Sequence, residues 1–192
     1  MLLLALALVA LNTPDAAQSD ACEYDSAHYL QQDAETFDQS QSGWRPLAQR
    51  GCYIEAAELI GSYRLTHGNA IPQRNQSEIT WHQGQMYALA NEYELAIEQF
   101  SQAYPEPDTH PDTRYKADAV IAFLSRDPER LIEIRDALRA LPEPSNFQAI
   151  VARIREQNPE FEPPSWPPSL ETVENYVRCF DYPYAIAYEG QC

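Results

Sequence analysis

The stretch that decides the fold is residues 84–103, GQMYALANEYELAIEQFSQA. Its apolar side chains recur every three or four residues, which is the period of an amphipathic helix. Asn91 interrupts this period, and asparagine favours turns. Ser77 is a good N-cap for a helix that would run through Ala90. The sequence therefore predicts two neighbouring helices, the second from Glu92 to Tyr104, joined by a short turn.

Small and aromatic residues are regularly spaced through this hairpin, at Gly84, Tyr87, Tyr93, Ala96, Phe100 and Ala103. The pattern resembles the tetratricopeptide repeat family, in which a Gly and a Tyr precede a Tyr, an Ala-x3-Phe pair and a further Ala. Small side chains at Gly84 and Ala96 would let the two helices approach closely. Tyr87 and Phe100 would then fill the gap to the next helix pair.

A second segment, GCYIEAAELIGSY at residues 51–63, aligns with residues 91–103 at a spacing of 40. The family's spacing is about 34, and Trp81 lies one position late. A third unit, about Asp112 to Leu141, keeps only the helix lengths. The resemblance covers roughly Trp44 to Leu141, and helical hairpins outside the family are the alternative.

Further helices are expected on both sides of the hairpin. Their expected limits are Tyr24 to Phe37, Trp44 to Arg50, Tyr53 to Leu65, Asp112 to Ser125, a helix capped by Asp127 and running to Leu141, one capped by Ser145 from Asn146 to Gln157, and one capped by Ser169 to Cys179. Proline-rich residues 158–168 would be anchored by Phe161 and Trp166. Tyr184 to Tyr188 could form a short strand.

The predicted fold is all-α, an irregular stack of antiparallel helix pairs like a tetratricopeptide α-solenoid, with a proline-rich C-terminal extension. We expect a signal peptide at residues 1–21, a repeat-like helical domain at 22–142, and C-terminal helices at 143–192 packed on the same body. The 192 residues are enough for one domain with a real core.

The N-terminus predicts export. Residues 2–11 are an unbroken apolar run, which is too short for a membrane span but suits a signal peptide. Small residues follow, so cleavage after Ser19 or Ala21 fits. Lipidation of Cys22 is the alternative, although Asp20 suits a lipoprotein site poorly. The expected location is periplasmic or secreted, without membrane insertion after cleavage.

Four cysteines, Cys22, Cys52, Cys179 and Cys192, form an even set in a chain expected to be exported. Such a set predicts disulfides, with three possible connectivities. The local choice, Cys22 with Cys52 and Cys179 with Cys192, would pin each end of the chain to the body.

The net charge is −16, from 29 acidic and 13 basic residues. This balance argues against nucleic acids and anionic membrane surfaces as partners. It permits a cationic protein partner, although a solvated acidic surface is the simpler reading.

No metalloprotease, nucleophile-elbow or phosphate-loop motif occurs in the sequence. None of the four histidines is three or four residues from another. We therefore expect no enzymatic activity, no cofactor and no metal.

If the repeat resemblance holds, it implies a binding face on the first helix of each pair. By position that face includes Glu78, Trp81, Gln85 and Ala88, and extends to Tyr115 and Ala119. His82 beside Trp81 could join a contact patch. The alternative is a tryptophan packed in the interior with a hydrogen-bonded histidine next to it.

Two binding functions compete, with an enzyme of unrecognised class as a third alternative. The first is a non-enzymatic scaffold that binds a partner protein or peptide through its helical-repeat face. The second is an acidic inhibitor or immunity-type protein that blocks a cationic exported enzyme. The first would fail if the C-terminal segment filled the face.

Overall fold

The computed structural model describes residues 21–104, 111–160, 162–163 and 165–192, and this part of the chain is helical throughout, without strands. The all-α prediction is confirmed for these residues. The α-helices are α1 Ser26–Tyr29, α2 Ala34–Gln39, α3 Arg45–Gln49, α4 Tyr53–His67, α5 Gln73–Leu89, α6 Tyr93–Ala103, α7 Pro111–Leu124, α8 Pro128–Arg139, α9 Phe147–Gln157, α10 Leu170–Arg178 and α11 Tyr184–Glu189.

Each helix from α3 to α7 packs on the next one along the chain. Three of the connections have the same form, with a positive φ at Gly51, Asn91 and Arg126. The residue after each of these donates its backbone N–H to the carbonyl five residues earlier, at 2.9–3.0 Å. This is the Schellman geometry that ends a helix. The same turn therefore closes the α3–α4, α5–α6 and α7–α8 pairs.

Helix α5 contributes to two cores. Ile79 and Met86 lie in a core formed with the N-terminal helices. Trp81 and Ala88 lie in a second core, which extends through α6, α7, α8, α10 and α11. The helix thus has little free surface, which limits where a partner could reach it.

The α5–α6 contact depends on Gly84. A methyl group on this residue would lie 2.9 Å from ring carbons of Phe100, closer than normal packing allows. The close approach expected from the glycine is therefore present.

Gly84→Ala is expected to destabilise the fold by about 1–3 kcal/mol, because overpacking of the Phe100 ring outweighs the better helix propensity of alanine. Urea unfolding measures this loss. Gly61→Ala in α4 is the matched control, since its added methyl would meet the flexible end of Gln83. An equal or greater loss in the control would contradict the prediction.

The expected single helix from Tyr24 to Phe37 is wrong: the structure has α1 and α2 there. Asp33 separates them, with an extended backbone. Its Oδ1 accepts the N–H groups of Glu35 and Thr36 at 3.1 and 2.9 Å. A side chain that caps a new helix in this way ends the previous one.

Two of the expected serine caps are also wrong. Helix α5 starts at Gln73, directly after Pro72, and Ser77 lies inside it. Proline suits this entry because its fixed φ and missing N–H cost nothing there. At α9 the N-cap position is Asn146, so Ser145 lies outside the helix. Asp127, by contrast, caps α8 as expected and accepts the N–H of Arg130.

The C-terminal residues pack on the same body. Helix α10 contacts α7 and α8, and α11 contacts α10 and α5. Ser169 does not cap α10 with its side chain; its hydroxyl donates to Asp112 at 3.0 Å. The expected strand at Tyr184–Tyr188 is wrong, because this segment is α11, whose Tyr184 and Ala187 are buried.

The two disulfides are Cys22–Cys52 and Cys179–Cys192, the local pairing. None of the helices described in the structure has the length and apolarity to cross a bilayer. Residues 1–20 of the expected signal peptide and Phe161 lie outside the described residues. Trp166 does anchor the proline-rich segment: its Nε1 donates to the carbonyl of Leu141 at 3.0 Å.

Candidate functional site

The buried members of the expected binding face lie in the core. Trp81 packs against Phe100 with ring centroids 4.6 Å apart. The Lys116 ammonium lies over the Trp81 indole ring, 4.5 Å from its centroid. Ala88 and Ala119 are fully buried. These three side chains therefore offer no surface to a partner in this conformation.

The remaining members of that face are half-buried. Glu78 forms an ion pair with Arg74 at 3.4 Å. Gln85 lies beside the hydroxyl group of Tyr184, on α11. Tyr115 packs at the edge of the second core. Part of the face is thus covered by the chain's own C-terminal helix.

His82 joins a buried polar cluster rather than the rest of that face. Its Nδ1 lies 2.7 Å from Oδ1 of Asp38, which is almost completely buried. The same oxygen accepts the indole N–H of Trp44 at 3.0 Å, and the backbone carbonyl of Asp38 accepts Nε of Arg45 at 2.9 Å. The cluster joins α2 and α3 to α5.

Two opposing effects act on the Asp38 carboxyl. Burial by itself would raise its pKa, but the hydrogen bonds from His82 and Trp44 and the charge of Arg45 lower the pKa below its usual value. Asp38 is therefore held as a carboxylate, and all its partners are groups that stabilise the charged form. The geometry of the cluster indicates a structural role, because its bonds connect three helices.

An open cavity of about 360 Å³ lies between α4, α5 and α6. This volume falls within the range of small-ligand sites. The lining comprises Gly61, Arg64, Leu65, Gly68, Ile71, Gln76, Thr80, Gln83 and Gln99. We call it the Arg64 cavity, and it is the candidate site.

The polar groups of the Arg64 cavity are arranged around one guanidinium. Nη1 of Arg64 donates to the Oε1 atoms of Gln83 and Gln99, the second at 2.6 Å. Burial lowers the pKa of Arg64, but an arginine stays protonated in proteins. Both glutamines are buried and Arg64 is half-buried. The cavity thus holds a fixed positive charge.

Apolar groups complete the Arg64 cavity. Leu65 is 88% exposed, and its side chain is the most exposed large apolar one among the described residues. Ile71, which also lines the cavity, is buried. Gln76 fixes the wall by donating from Nε2 to the carbonyl of Ile71 at 2.6 Å. Arginine is one of the residue types enriched among those that dominate binding at protein interfaces.

Sequence reasoning missed this site. Arg64, Gln83 and Gln99 come from three helices, and Arg64 lies 19 positions before Gln83 and 35 positions before Gln99 in the sequence. A usable signal in the sequence was Leu65. This apolar residue lies outside the set of buried positions of α4, which are Ala56, Ala57, Leu59, Ile60 and Tyr63.

Two other groups of residues are weaker candidates for a binding site. A cavity of about 740 Å³ beside Phe147 and Trp166 is lined mainly by exposed side chains, including Glu143, Glu162 and Glu171. Within the described residues, Cys22, Cys52 and Glu55 are close enough together to be considered as metal ligands. The two sulfurs are joined in a disulfide, so they are not thiolate ligands.

Comparisons with protein-family models, curated proteins and solved structures found no match to the chain. The resemblance to tetratricopeptide repeats therefore stays a prediction from residue spacing.

Proposed function

We propose that the protein is a non-enzymatic interaction protein that holds a segment of a partner protein or peptide in the Arg64 cavity. The proposal rests on one observation: the solvent-exposed side chain of Leu65 lines the same cavity as the half-buried side chain of Arg64. Arginines are enriched among the few interface residues that contribute most of the binding energy, and neighbouring contacts exclude water from such residues.

The architecture supports a scaffold of the tetratricopeptide type. The three equivalent turns at Gly51, Asn91 and Arg126 recur at spacings of 40 and 35 residues. Successive helices also pack in chain order, as they do in helical-repeat proteins. The proposed partner site differs from the face expected by resemblance, since that face is partly internal and partly covered by α11.

Export of the protein forms part of the proposal. Two disulfides join the described cysteines, and disulfides persist in oxidising compartments. The apolar run at residues 2–11 suits a signal peptide. We therefore place the partner in the periplasm or outside the cell.

Leu65→Ser is expected to weaken capture of the partner about tenfold or more, the effect of losing an interface anchor. The mature chain is immobilised and exposed to exported proteins of the source organism, and bound proteins are quantified by mass spectrometry. Leu95→Ser is the matched control, since Leu95 is also an exposed helical leucine, at 41%. Equal capture by both variants would sink the proposed site.

A second candidate is an acidic inhibitor of a cationic exported enzyme, favoured by the net charge of −16. Such a complex would be strongly weakened by salt. Repeating the capture in high salt separates the two candidates. A dominant basic protein that is lost in salt, and is unaffected by Leu65→Ser, favours the inhibitor.

A further inference from the structure

The side chains of Arg64, Gln83 and Gln99 present a group of hydrogen-bond donors to the cavity. The side-chain carbonyl oxygens of Gln83 and Gln99 are both occupied by Nη1 of Arg64. Their amide nitrogens, and Nε and Nη2 of Arg64, find no acceptor among the residues that the structure describes. Elsewhere in the lining, Thr80 donates its hydroxyl to the backbone carbonyl of Gln76, and Nε2 of Gln76 donates to the carbonyl of Ile71. The donors around Arg64 therefore complement a ligand group that accepts hydrogen bonds.

The charge in the cavity is also uncompensated at contact distance. No carboxylate of the described residues lies within 4.0 Å of the Arg64 guanidinium. Glu98 acts on it only from farther away. Its free Nε and Nη2 form the edge that binds a carboxylate through two parallel hydrogen bonds.

We infer that the Arg64 cavity binds a monocarboxylate whose carboxyl group is attached close to an alkyl group. The carboxylate would meet Nε and Nη2 of Arg64 and the amide nitrogens of Gln83 and Gln99. The alkyl group would contact Leu65 and Ile71. The inference rests on the proposed function, because it assigns chemistry to the same cavity.

A single negative charge is preferred for two reasons. Among the described residues that line the cavity, Arg64 is the one cation. The protein carries a net charge of −16, which repels a dianion such as a phosphate more strongly than a monoanion. Leu65 and Ile71 in turn favour a ligand with an alkyl group larger than the methyl group of acetate.

This site differs from the face that the repeat resemblance implies. Gln76, Thr80 and Gln83 follow one another at four and three residues, so they share one side of α5. Glu78, Trp81 and Gln85 follow the same spacing on another side. The carboxylate would therefore bind on the side of α4 and α6, away from α11.

The test is a titration of the full-length mature protein, followed by NMR of the Arg64 Nε–H and the Gln83 and Gln99 side-chain amides. The probes are N-acetyl-leucine, which has a free carboxylate, and N-acetyl-leucinamide, which is neutral. We expect N-acetyl-leucine to shift these signals with a millimolar dissociation constant, as suits about a dozen non-hydrogen atoms. Equal shifts with the amide, or no shift with either probe, would overturn the inference.

Three variants make the test specific. Arg64→Met is expected to raise the dissociation constant about 10- to 100-fold, the loss of a charged hydrogen-bond pair. Arg74→Met changes the net charge equally at an exposed site and is expected to leave binding unchanged. Gly61→Ala displaces the amide of Gln83, which lies 2.7 Å from the added methyl, and is expected to weaken binding while the fold persists. An equal loss in Arg74→Met would show a general charge effect and overturn the site.

The ligand's source is decided by comparing 4-methylpentanoate with a basic tetrapeptide that ends in leucine. Tighter binding of the tetrapeptide supports the end of a partner chain as the occupant. Tighter binding of the free acid supports the carboxylate site but removes the partner protein from the proposed function. Leu65-dependent capture of a partner without any carboxylate shift would instead overturn this inference and leave the proposed function standing.

Discussion

Phe100→Ala is expected to lower the free energy of unfolding by about 3–5 kcal/mol, the usual cost of deleting a buried aromatic ring. Phe100 is 1% exposed, and its ring lies against Gly84 and the Trp81 indole. The substitution would therefore leave a cavity between two packed helices. Urea unfolding followed by far-ultraviolet circular dichroism measures the loss.

Phe147→Ala is the control for this prediction. Phe147 is half-buried on α9 and its ring contact is with Trp166, at 5.1 Å. We expect it to cost only about 1 kcal/mol, because less apolar surface leaves the interior. Comparable losses at both positions would mean that the α5–α6 contact does not dominate the stability of the fold.

Asp38→Ala is expected to cost about 2–4 kcal/mol. The change removes the shared acceptor of Trp44 and His82 and leaves both donors without it inside the protein. Asp33→Ala is the matched control, since it removes a solvent-exposed helix cap worth about 1 kcal/mol. If the two variants lost the same free energy of unfolding, the buried Asp38 cluster would contribute no more stability than an exposed helix cap.

The Asp38 contribution also depends on pH in a defined direction. Its pKa is lowered in the folded protein, so the unfolded chain binds the proton more tightly. The stabilisation is therefore complete above the unfolded pKa, about 4, and is lost as the pH falls through the folded pKa. The difference in stability between wild type and Asp38→Asn should shrink between pH 5 and pH 3. An unchanged difference would contradict a charged Asp38.

Several elements follow from local sequence. Asp127 and Pro128 predicted the start of α8, because the cap bond to Arg130 and the fixed φ of proline act within one turn. The α5–α6 hairpin followed from its period and from Asn91, which stands at a φ of 63°. The pairing of Cys22 with Cys52 and of Cys179 with Cys192 followed from reach along the chain.

Other local predictions failed because a competing local bond or packing against the body prevailed. The first helix was split since the Asp33 carboxylate bonds backbone N–H groups that a continuous helix would use otherwise. At Tyr184–Tyr188 the aromatic and alanine residues fit a strand or a buried helix equally well. Packing of Tyr184 and Ala187 against the body gave a helix.

By itself, the sequence determined the helical class, the α5–α6 hairpin and the charge of the surface, since period, turn residues and composition are properties of neighbouring residues. The tertiary structure alone decided that Trp81 is interior, that Asp38 meets His82 across 44 positions, and that Arg64 meets Gln99 across 35. These contacts join separate helices, and a contact between helices depends on how they pack, which no local pattern encodes.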